Sequence, residues 1–106
     1  MKPPKKIKIG AYEFKVVTWG RPMCHDKDAF GQFCPRQGII ALAPDLYPAL
    51  LLDTLIHEIN HAIWFVYNIH DKDDEERTVH TESSGWAQVW MDNPKLLKFI
   101  QNIVND

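Results

Sequence analysis

Residues 46–68 read LYPALLLDTLIHEINHAIWFVYN. Within them Leu52, Leu55, Ile56, Ile59, Ile63 and Val66 recur at steps of three and four, the stripe of a helix packed on a core. Pro48 suits a first turn, whose amides have no intrahelical partner, and Asp45 precedes it as a cap candidate. The helix is expected to start near Leu46 to Pro48 and to run to about Asn68. Its apolar length approaches a membrane span, but Asp53, His57, Glu58, Asn60 and His61 would be costly in hydrocarbon. It is read as a helix of a water-soluble domain.

Inside this helix His57, Glu58, Ile59, Asn60 and His61 form the pattern H-E-x-x-H. Residues four apart lie on one helical face about one turn apart, so both imidazoles can reach one tetrahedral zinc at about 2.0–2.1 Å. Glu58 then stands beside the metal, where a carboxylate can act as general base toward water. With five His and five Glu in 106 residues, chance supplies these three positions about 0.01 times per chain. The competing structural reading, two ordinary helix histidines and a surface carboxylate, leaves two polar rings beside an apolar stripe without partners. A catalytic zinc takes a third protein ligand and leaves one position for water. Glu75, Glu76, His80 and Glu82 are the candidates, from a second helix expected over roughly 74 to 91 with acidic groups in its first turn. If Val79, Ser83, Trp86 and Trp90 are its core stripe, Glu75, Glu76 and Glu82 flank that stripe within about 60°, and His80 lies nearer 100°.

Outward from the helix, Ile7, Ile9, Tyr12, Phe14 and Val16 alternate with polar residues around Gly10, the pattern of a β-hairpin. Residues 18 to 30 show no period and form a loop that could flank the site. Gln32 to Cys34 and Ile39 to Ala43 suggest a second strand pair joined through Pro35 and Gly38. A small antiparallel sheet of three or four strands is therefore expected. After the second helix Asp92, Asn93 and Pro94 make a break, and Leu96, Leu97, Ile100, Ile103 and Val104 mark a last amphipathic helix. The architecture is α+β, a single domain over 1–106 around one core.

At 45% hydrophobic and 25% charged residues the chain is globular in composition. A net charge of −2 gives no reason to expect nucleic acid, and the cluster Lys2, Lys5, Lys6 and Lys8 reads as solvation and protection of an edge strand. No apolar signal region follows those lysines, so a cytoplasmic protein without membrane attachment is expected, in the host cytoplasm if phage-encoded. Cys24 and Cys34 read as ordinary thiols. Cys24, His25 and Cys34 as a second metal cluster lack a fourth ligand at finger-like spacing.

Several segments together, namely Gly31 to Ile40, Asp53 to Ala62, Glu75-Glu76 with Val79, and Asp92-Asn93-Pro94, resemble the small zincin-like metallopeptidases common in phage and prophage genomes. These are similar to the catalytic core of the ImmA/IrrE peptidases. The resemblance covers roughly residues 7 to 97, and its specific part is 53 to 94. It implies a minimal zincin-like domain with a gluzincin-type site, in which Glu76, three residues before Val79, is the third zinc ligand. His80 and Glu82 make the second helix more polar than that family suggests, and Tyr67 stands where a metzincin would have its third His. The expected function is a zinc-dependent peptidase acting on a peptide or protein, with Ile39 to Ala43 as the strand to which extended substrate adds. The alternative is a non-catalytic zinc-holding module of zincin shape that captures a host protein. A DNA-associated protease would need a basic or finger-like element beyond the lysines.

Overall fold

The computed structural model of the protein describes residues 2–20 and 30–105. Strands β1 (Lys6–Ile9), β2 (Tyr12–Thr18), β3 (Gly31–Cys34) and β4 (Ile39–Leu42) precede helices α1 (Pro48–Val66), α2 (Glu75–Asp92) and α3 (Pro94–Val104). The hairpin of β1 and β2 forms where alternation predicts it, with Ile7 opposite Phe14. The sheet is mixed, in the order β1-β2-β4-β3, because β2 and β4 run parallel and only the outer pairs are antiparallel. This corrects the expectation of an antiparallel sheet. The physical reason lies in β4: Ile40, Ala41 and Leu42 are all buried, and a strand apolar on both faces belongs in the interior of a sheet. β3, with Gly31 and Gln32, is left at the edge.

Ile7, Ile9, Phe14, Ile40 and Leu42 meet Leu55, Ile59, Ala62 and Ile63 of α1 in one core, closed from the far end by Val89, Leu96 and Phe99. The stripe expected on α1 is thus the packed face. The helix starts at Pro48, within the expected range, but its cap differs: the cap position is Tyr47, without a side-chain cap bond, and Asp45 instead takes a positive φ of 63° in the turn before it. Asp74 caps α2 by accepting from the Arg77 amide. On α3 Leu96 and Phe99 are buried, whereas Leu97 and Val104 point to solvent. No helix of the described residues is long and apolar enough to cross a membrane.

The buried residues of α2 are Gly85 and Val89, while Val79 and Ser83 are exposed and Trp86 and Trp90 only part-buried. The core stripe expected through Val79, Ser83, Trp86 and Trp90 is therefore rotated. Gly85 is the cause. A Cβ there would stand 2.7 Å from Ile63 Cγ2 and 3.2 Å from the Tyr67 ring, so only glycine lets the helices meet at this point. Once α2 is seated on Gly85, its polar neighbours fall elsewhere than the wheel places them.

Two side chains lock α2 and α3 to the hairpin. The Gln88 carboxamide accepts from the Gly10 amide at 2.8 Å and from the Tyr67 hydroxyl at 3.0 Å, and donates to the Lys8 carbonyl at 3.0 Å. Buried Asn93, at the break between α2 and α3, accepts from the Lys8 amide and donates to the carbonyls of Lys8 and Val89, each at 2.8 Å. An Asn93→Ala protein takes the side-chain partner from the Lys8 amide and the Val89 carbonyl, while the Lys8 carbonyl keeps the Gln88 carboxamide. It should lose about 2–4 kcal/mol in urea unfolding, and a loss below about 0.5 kcal/mol would mean that solvent satisfies the groups equally well.

Candidate functional site

The site forms where edge strand β3 crosses α1. A Cβ on Gly31 would meet Thr54 Cγ2 at 2.6 Å and Glu58 Cγ and Oε2 at 3.1 and 3.2 Å. Glycine at this position therefore lets the strand lie directly over the helix. Thr54 and Glu58 are buried beneath it, and the Phe33 amide donates to the Glu58 carboxylate. With that face of α1 turned to the sheet, its neighbouring face carries His57 and His61 to the surface. They border a hollow of about 610 Å³ whose walls include Gly31, Gln32, Phe33, Asp53 and Glu58.

The two imidazoles converge. His57 Nε2 and His61 Nε2 stand 3.1 Å apart with the ring planes at 80°. Two nitrogens bound to one tetrahedral zinc at about 2.0–2.1 Å stand about 3.3 Å apart, so the pair fits a shared metal without rearrangement of the helix. Burial raises the Glu58 carboxyl above its ordinary value, and the charges of His57 and His61 and the Phe33 amide offset part of that rise. A carboxyl raised by burial and set one residue from His57 is suited to proton transfer.

The residues expected from the second helix are dispersed. Glu76, with Glu75, Val79, His80 and Ser83, borders a hollow separate from that of the histidines. Glu82 lies elsewhere, in a hollow shared with Asp53, His57, Asn60, Trp86 and Trp90, where the Trp86 indole donates to Asn60 Oδ1 at 3.1 Å. The rotation of α2 about Gly85 separates these positions. Among the described residues no three His, Cys, Asp or Glu side chains stand together as a ready metal group. Cys24 and His25 lie outside the described residues, and Cys34 is buried in β3.

Sequence reasoning identified His57, Glu58 and His61 but not Gly31, Thr54, Asp53 or the Phe33 amide. An isolated glycine opening a short strand is the signal that could have shown the close approach. The expected substrate strand, Ile39 to Ala43, is also corrected: β4 is paired with β2 on one side and β3 on the other, and the edge bordering the histidines, free among the described residues, is that of β3. Comparison with protein-family models, with curated proteins and with solved structures finds no match for the chain.

Burial of Glu58 has a consequence for stability in chelator-treated protein. Its folded pKa is raised, so the folded state holds a proton that the unfolded chain releases. That contribution is complete below the unfolded carboxyl value of about 4.3 and is lost as pH rises through the folded value. Glu58→Gln, which stays neutral, should therefore unfold at a higher temperature than the wild type near about pH 7, with the difference shrinking toward about pH 4. A difference that stays constant or reverses sign would show that Glu58 is not held in a desolvated place.

Proposed function

We propose that the protein is a zinc-dependent peptidase of zincin type. The observation that carries this reading is the convergence of His57 Nε2 and His61 Nε2 to 3.1 Å beside a buried carboxylate whose pKa is raised. His57 and His61 would hold the metal, and Glu82 would be the third donor from α2, because it borders the hollow that contains His57 whereas Glu76 borders another. Bound there, zinc supplies Lewis acidity toward the substrate carbonyl and lowers the pKa of water toward about 7.

The remaining work falls to the chain. An extended peptide pairs with the free edge of β3, which brings its backbone along the hollow in front of the histidines. Glu58 takes the proton of the attacking water, whose oxygen bonds to the carbonyl carbon. It then returns that proton to the amide nitrogen as the C–N bond breaks. Desolvation under β3 keeps the carboxylate a stronger base than a surface Glu. The absence of a charged residue at Gly31, Gln32 and Phe33 leaves the edge open to backbone pairing.

Two results test the reading. In zinc titrations, Glu82→Ala should weaken binding by about tenfold or more while Glu76→Ala binds as the wild type. The reverse pattern would move the third ligand to Glu76 and require α2 to turn. In a peptide-library assay of zinc-loaded protein, Glu58→Gln should keep its metal and lose about 10²–10⁴-fold in hydrolysis. Wild-type protein that binds zinc and cleaves nothing would instead favour a zinc-holding module that binds a protein partner.

A further inference from the structure

A second hollow lies between the segment entering β1 and helix α3. Lys2, Lys5 and Lys6 form one wall, Lys95 and Lys98 form the other, and the buried Phe99 ring lies at the floor of a space of about 530 Å³. Asn102 adds a carboxamide. Sequence separates the two lysine groups by about 90 positions, so only the fold brings them together. In a chain of net charge −2, five of twelve basic side chains gather here, and among the described residues no Asp or Glu lines the hollow. Lys6 forms an exposed pair with Glu13 at 3.4 Å. An exposed pair of this kind contributes little and exchanges readily.

Five ammonium groups around one concavity repel one another, and an anion with several adjacent charges relieves that repulsion while gaining charge-assisted hydrogen bonds. We propose that this hollow binds a compact polyphosphate, an inorganic or small organic molecule carrying several neighbouring phosphate groups. Its volume falls within the range of small-molecule sites. Lysines act on phosphate oxygens as point charges, and Lys6, Lys95 and Lys98 sit on the regular elements β1 and α3. Among the described residues no arginine lines the hollow and its one aromatic ring, Phe99, is buried, so they offer neither bidentate readout nor a platform for bases. A compact ligand therefore fits better than a nucleic-acid strand. The hollow shares no residue with the histidine site, so the proposal stands whether or not that site is catalytic.

Inorganic tripolyphosphate is the probe, titrated calorimetrically into the full chain at low ionic strength after zinc has been removed, because polyphosphate itself chelates metal. One equivalent should bind. Both Lys95→Gln/Lys98→Gln and Lys2→Gln/Lys5→Gln should weaken it about tenfold or more, each pair removing two charged contacts. Lys72→Gln, on the exposed turn before α2, should bind as the wild type. The two pairs stand on opposite walls, so a folding defect in one leaves the other informative. The proposal is overturned by absence of binding, by unchanged affinity in both pairs, or by an equal loss in Lys72→Gln. It is also overturned if duplex DNA, matched in total phosphate, binds more tightly, which would make the surface a nucleic-acid face.

Discussion

Strand β3 rests on helix α1 at a point where no side chain fits between them, and the candidate site follows from that contact. Because Gly31 has no Cβ, Thr54 and Glu58 turn inward under the strand. One consequence is electrostatic: Glu58 loses solvent and its proton affinity rises. Another is directional. Fixing positions 54 and 58 inward fixes 57 and 61 outward, side by side and one turn apart, with their Nε2 atoms converging. A third is topological, since the strand that covers Glu58 is also the one that ends the sheet among the described residues.

Buried acid of this kind costs stability, and the rest of the molecule supplies the rigidity that holds it. Leu55, Ile59, Ala62 and Ile63, next to Glu58 on the inward side of α1, pack in the core with Ile7, Ile9, Phe14, Ile40 and Leu42, so the helix cannot rotate to free the carboxylate without opening the core. Gln88 and Asn93 fasten α2 and α3 to the hairpin through backbone groups of Lys8 and Gly10. A strained or desolvated functional group held by an over-determined scaffold is a common arrangement where activity and stability conflict.

Much of this was legible in the sequence where the signal is local. Helix α1, the β1–β2 hairpin and the break at Asn93 and Pro94 are written in spacing and turn residues a few positions apart, and the histidine pair follows from helical geometry alone. What could not be read depends on partners distant in the chain. The parallel pairing of β2 with β4 depends on which strand is buried on both faces, and Ile39 to Leu42 carried that hint as an unbroken apolar run. The facing of α2 was misjudged because Trp86 and Trp90 outweigh a glycine on any hydrophobicity scale. Yet Gly85 is the contact residue, because helices approach most closely where the side chain is smallest. That rotation decides which carboxylate borders which hollow: Glu82 lines one that includes His57, and Glu76 lines another.

The central claim is that His57 and His61 bind one zinc together, and zinc-edge X-ray absorption of protein loaded with one equivalent tests it most directly. The account predicts two imidazole nitrogens at about 2.0–2.1 Å in the first shell, accompanied by oxygen donors and no sulfur, with the imidazole signal abolished in the His57→Ala/His61→Ala protein. A shell containing sulfur, or an imidazole signal that survives the double substitution, would place the metal elsewhere and contradict the account.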